Sequence, residues 1–224
     1  MTATTATRRS DWWIPASLVL LSLVPAIAGT ARLAELAGNA PLSTSNARFM
    51  DQPVPVLLHI LSVIPYSIVG AFQFAPGFRK RNRPWHRAAG RVIGSFGVLT
   101  AISGLWMTLT YPWPAGDGVG VYVERLVVGV WMLVSMYLGL DAVRRRDFKV
   151  HGQWMIRAYA IGMGAGTQVL THLPWFIFVG PKPGETPRMV MMGGAWLINA
   201  LFAEWIIRRQ SAVRVATQRQ VAVA

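Results

Sequence analysis

Six apolar runs dominate the chain, at roughly 12–33, 53–76, 87–111, 119–142, 151–178 and 188–207, and each is long enough to cross a bilayer core as an α-helix. This feature restricts the fold more than any other. Within the hydrocarbon, every backbone N–H and C=O must find its partner inside the structure, which leaves helices and closed barrels. Continuous apolar runs of about 20 residues select helices. The sequence therefore predicts an all-α, polytopic membrane bundle of six transmembrane helices over residues 12–208, with tails over 1–11 and 209–224. Polar, basic or Pro/Gly-rich connectors fill 34–52, 77–86, 112–118, 143–150 and 179–187.

Charge gives the orientation. Only 14% of the 224 residues are charged, against about 25% in soluble domains, yet the net charge is +13 from 22 Lys and Arg against nine Asp and Glu. With the N-terminus inside, fifteen of the basic residues fall on the cytoplasmic side and five outside, with Arg91 and Arg157 within helices. That bias predicts cytoplasmic N- and C-termini by the positive-inside rule, in the plasma (inner) membrane of a bacterium. Trp12, Trp13, Trp85, Trp154 and Trp205 fall near the inner interface, and Trp113, Tyr122 and Trp175 near the outer one, as aromatic belts do. Arg8-Arg9, the first apolar run and Ala26-Ile27-Ala28 also resemble a signal peptide. The run continues toward Leu36, so an uncleaved first helix is the expectation; cleavage would leave five spans.

Several chemistries lack their residues. Without cysteine there is no disulfide framework, thiolate zinc site, cysteine-held iron–sulfur cluster or thiol nucleophile. The lysines are Lys80, Lys149 and Lys182, all in connectors, so no buried Schiff base is available. Neither GxxxxGK[ST] nor GxSxG occurs. The basic charge sits in short juxtamembrane loops that attract anionic lipids, not in a nucleic-acid-binding module.

The four histidines divide by depth. His86 and His151 open the third and fifth helices at the inner interface; His59 and His172 lie near the outer ends of the second and fifth. Arg79-Lys80-Arg81-Asn82 precedes His86 with the spacing at which Arg144-Arg145-Arg146-Asp147 precedes His151. This is either a chance match of two positive-inside loops or a parallel repeat, in which case His86 and His151 are pseudo-equivalent. Gly90 and Gly94 follow His86 at spacings of four, and Met155, Ala158, Gly162, Ala165 and Val169 run between His151 and His172. Such small residues permit close approach of a neighbouring helix or a flat ligand.

His86-Arg87-Ala88-Ala89-Gly90-Arg91 and His151-Gly152-Gln153-Trp154-Met155-Ile156-Arg157 resemble the paired HRxxGR and HxxWMxR signatures of the bacterial membrane family known as domain of unknown function 2306. The resemblance extends to His59 and the Gly70–Phe74 segment, from about residue 55 to 172. It departs at Gln168, where the family commonly carries arginine. It implies an integral membrane protein with special histidines and brings no settled activity.

Three readings of those histidines follow. In the first, the chain is a b-type haem protein for electron transport: His59, His86, His151 and His172 supply axial ligands, Gly90 makes room, and Arg87, Arg91 and Arg157 bind propionates. Quinone or another redox partner would exchange the electrons. This arrangement is similar, as architecture alone, to cytochrome b561-like bundles. In the second, His59, Glu124 and His172 hold a non-haem iron or zinc ion near the outer face, while Met189, Met191 and Met192 hint at copper. In the third, the protein is a transporter or a structural subunit of a homo- or hetero-oligomer, with no cofactor.

Overall fold

The computed structural model describes residues 12–38 and 40–223, with side chains as far as Ala212; the expected tail over 1–11, with Arg8 and Arg9, lies outside the described residues. The architecture is helical. Helices run Trp13–Ala37 (α1), Ala47–Asp51 (α2), Pro53–Ala71 (α3, continued by a 3-10 turn Phe72–Phe74), Pro76–Arg81 (α4) and Arg83–Thr110 (α5). They continue with Val119–Arg144 (α6), Phe148–Gly162 (α7), Gly164–Phe178 (α8) and Glu185–Val223 (α9). Five are individually long and apolar enough to cross a membrane: α1, α3 with its 3-10 turn, α5, α6 and α9 as far as Ala212.

The remaining expected span, 151–178, is not one helix. It is broken at Met163 (φ −77, ψ 0) into α7 and α8, each of 15 residues. The local cause is the run Gly162-Met163-Gly164-Ala165-Gly166, since glycine holds a helix poorly. The packing cause is that the halves have different neighbours. α7 packs on α6 and α9, whereas α8 packs on α9 and α1. A Cβ at Gly164 would strike the Trp196 indole of α9, and one at Gly166 the Leu21 backbone of α1. Past the break, the chain has left α6.

The turn before α7 is closely specified. At the end of α6 the Asp147 N–H donates to Ala142 O (2.8 Å) and the Arg146 N–H to Val143 O (3.0 Å), a Schellman closure with Arg146 at φ 60. Asp147 then caps α7, its Oδ1 accepting from the Val150 N–H at 3.0 Å. This compact link fixes where His151 leaves the turn.

Midway through the bundle lies a packed layer of Tyr66, Ile93, Ala101, Met132, Tyr159 and Met163. The Tyr66 and Tyr159 rings stand 5.5 Å apart, and the Tyr159 hydroxyl donates to Ser67 O at 2.5 Å. Tyr66 is wedged between α5 and α7: a Cβ at Gly97 or at Gly162 would come within 2.6 Å of its ring. A large cavity opens on either side of this layer, one at a basic end and one at the opposite end.

Aromatic rings mark the basic end, where Trp12 meets Phe78 and Phe78 meets Trp85, at centroid distances of 5.9 and 4.8 Å. At the opposite end Asp117 is buried and ion-paired to both Arg125 (2.5 Å) and Arg188, while Arg48 donates to Pro112 O.

Candidate functional site

The basic-end cavity, about 870 Å³, is lined by residues of both the HRxxGR and the HxxWMxR segment. His86, Arg87, Gly90, Arg91 and Gly94 enter it from α5, and His151, Gly152 and Met155 from α7. Arg79, Lys80, Arg83 and Lys149 complete a rim of six cations, and among the described residues no carboxylate lines it. A cavity with that rim favours an anionic or carboxylate-bearing occupant.

His151 has a defined tautomer. Its Nδ1 lies 2.9 Å from Gly139 O, and a carbonyl only accepts, so Nδ1 carries the proton and donates. Nε2 is left with a free lone pair, the arrangement in which a histidine binds a metal with its other nitrogen held by a backbone carbonyl. On the facing helix, His86 Nδ1 is buried without a hydrogen-bond partner, as are both ends of the Gln73 amide on the cavity wall. Buried polar atoms are rarely left unsatisfied, so these three point to an occupant.

Glycine shapes the walls. A Cβ built at Gly94 or Gly152 meets nothing within 4 Å, and one at Gly90 meets only Gln73 Oε1, at 3.8 Å. These positions face open space in the cavity instead of a neighbouring helix. They are a cradle that side chains would fill.

Arg157 is placed elsewhere. It donates to Glu204 on α9 through Nε (2.5 Å) and Nη2 (3.0 Å) and lies 4.5 Å over the Trp154 ring. It does not line the cavity, so the set expected to bind propionates loses it. The cations that sequence reasoning overlooked, Arg79, Lys80, Arg83 and Lys149, stand there instead. Their signal was available in the two basic runs that precede His86 and His151.

The second cavity, about 330 Å³, lies at the opposite end and contains His59 but not His172. His59 Nδ1 faces Thr100 O at 3.1 Å and Ser103 Oγ at 3.2 Å. The same logic puts the proton on Nδ1 and the lone pair on Nε2. His172 instead donates from Nδ1 to Gln168 O of its own helix at 2.8 Å and rests against Phe176. The break at Met163 separates the two: it carries α8 toward α1 and α9, and the wall facing His59 presents Gln168.

Nor is the expected metal set assembled. Among the described residues no three His, Asp or Glu side chains come together at metal-binding spacing, so His59, Glu124 and His172 are not one site. Glu124 does not pair with its neighbour Arg125, which is bound to Asp117. Its carboxylate is pressed against Gly193 of α9, with Oε2 buried and unpartnered.

The pattern of the family described as "Predicted membrane protein (DUF2306)" matches residues 56–207, about two thirds of the chain and all of both motifs. Among curated proteins and among solved structures, none matches it. The architectural likeness to cytochrome b561-like bundles therefore stands without support from these comparisons.

Proposed function

The chain belongs to the DUF2306 family of predicted membrane proteins, and from that premise we propose that it is a b-type haem protein of a bacterial plasma membrane, serving electron transfer. In this reading the chain makes six passes, α7 and α8 together forming the fifth, and the basic end with both termini is cytoplasmic.

One observation carries the proposal: histidines from two helices line one cavity together with a cationic rim and three glycines that leave its walls open. His86 and His151 would hold the haem iron. Gly139 O holds the His151 ring in the tautomer that presents Nε2. Arg79, Arg87 and Arg91 would neutralise the two propionates, and the Gln73 amide would supply a further hydrogen bond. When bound, haem b supplies a one-electron iron couple whose potential follows its axial ligands and the surrounding charge. The six cations would favour its reduced, more negative state and so raise that potential.

The test is the absorbance spectrum of protein purified in detergent from haem-replete cells, before and after dithionite. A low-spin Soret band is expected, lost in His86→Ala and in His151→Ala but kept in His59→Ala and His172→Ala, all four eluting as the wild type does. No Soret band in the wild type would sink the proposal, as would survival of the band in both inner variants.

The rim also favours a second reading, in which the cavity seats the headgroup of an anionic phospholipid. Co-purified acidic lipid, displaced by neutralising Arg87 and Arg91 in protein lacking a Soret band, would support that reading over haem.

A further inference from the structure

The cavity opposite the basic end has its own chemistry, unused by the haem proposal. At about 330 Å³ it has the size of a small-ligand pocket. Its walls are largely apolar, with Val63, Leu105, Val128 and Met132 among them, so it suits a ring more than an ion. Arg48, Thr108, Tyr111, Tyr122 and Arg125 also line it, and two further polar groups lie among the apolar residues. His59 offers a lone pair on Nε2, because its Nδ1 proton is committed to Thr100 O. Gln168, from α8, lines the same cavity with its amide Nε2 buried and without a hydrogen-bond partner.

One acceptor and one donor, from two different helices that line one largely apolar cavity, match a ring that bears an oxygen at either end. We propose that this cavity binds the head group of a membrane quinol or quinone. A quinol O–H donates to His59 Nε2, and the oxygen across the ring accepts from the Gln168 amide. His59 lies in α3, a helix long and apolar enough to cross a membrane, and Gln168 in α8, the second half of the proposed fifth pass. The two cations of the lining are engaged elsewhere: Arg125 is bound to Asp117, and Arg48 lies over the Phe49 ring and donates to Pro112 O.

The site is independent of haem. It is assayed by quenching of tryptophan fluorescence with ubiquinone-1 or menaquinone-1, in purified full-length protein whether or not a Soret band is present; Trp113 and Trp196 line the cavity. Saturable quenching is expected with at least one of the two probes. His59→Ala and Gln168→Leu should each weaken it by about tenfold, the loss of one buried hydrogen bond, whereas His172→Ala leaves it unchanged. Ala165→Phe, which fills this cavity and touches neither polar group, should abolish it. The idea fails if neither probe saturates, if binding survives in folded His59→Ala and Gln168→Leu, or if it is lost on filling the basic-end cavity through Gly94→Leu. Saturable binding in protein without a Soret band would keep this site and remove the haem proposal; the reverse result would do the opposite.

Discussion

Arg157 illustrates how far a single residue can be read. Its position in an HxxWMxR segment suggests ligand binding, yet its guanidinium is bound bidentately by Glu204, 47 residues on. A carboxylate in α9 and a guanidinium in α7 must both be satisfied in a medium where an unpaired charge is expensive. Nothing in the local spacing announces the partner, because it depends on which faces of α7 and α9 meet. Arg157→Met is expected to destabilise the protein by roughly 1–3 kcal/mol by stranding Glu204. Adding Glu204→Gln should recover much of that loss, as coupled neighbours do. Thermal unfolding in detergent measures both. Haem content should not change in either variant, unlike in Arg87 and Arg91 variants. If Arg157→Met lost haem while retaining its melting temperature, the residue would belong to the site after all. Of the histidines, His86 and His151 could be paired from their shared loop pattern and line one cavity, whereas His59 and His172, expected to share a site, are separated by the break at Met163.

For whole helices, hydropathy located five of the six expected spans as single helices, because transfer into the bilayer depends on composition and length. It did not locate the break at Met163, which arises from contacts. The glycine run over 162–166 was the one available hint, and small residues in membrane helices more often mean plain close packing. The glycines can be sorted by what they touch, and that sorting predicts their cost. Gly97 and Gly162 clamp the Tyr66 ring from α5 and α7, so the ring cannot retreat from either. Gly97→Ala and Gly162→Ala should each lower stability by about 1–3 kcal/mol through overpacking. At Gly139 the nearest atoms belong to the flexible end of Met155, which can swing away, and alanine there should cost under about 1 kcal/mol. Gly94 and Gly152 face open cavity. Leucine at either should leave the melting temperature nearly unchanged and remove the Soret band. Equal destabilisation across all five positions would mean that the helix contacts are wrongly drawn.

Taken as a whole, the molecule carries polar chemistry at both ends of a bundle closed in the middle by Tyr66, Tyr159 and Met132. An imidazole pair with six cations stands at one end, and a single imidazole with an unpartnered amide at the other. This polarity gives orientation a functional meaning: it decides which side of the membrane meets the proposed haem. The positive-inside rule predicts a cytoplasmic basic end, because translocating the loops around Arg79–Arg83 and Arg144–Arg146 is opposed. The absence of cysteine makes the chain its own null background for labelling. Asn82 lies in the α4–α5 turn at the basic end and Ser45 just before α2 at the opposite end, both exposed. In intact spheroplasts, a membrane-impermeant maleimide should label Ser45→Cys and spare Asn82→Cys, and both should react once the membrane is permeabilised. The reverse pattern would turn the bundle over and put the proposed haem cavity on the outer side. Labelling of both sites in intact spheroplasts would mean a mixed topology. That outcome would show the fifteen-to-five charge bias too weak to set one orientation, and it would leave neither cavity with a fixed side.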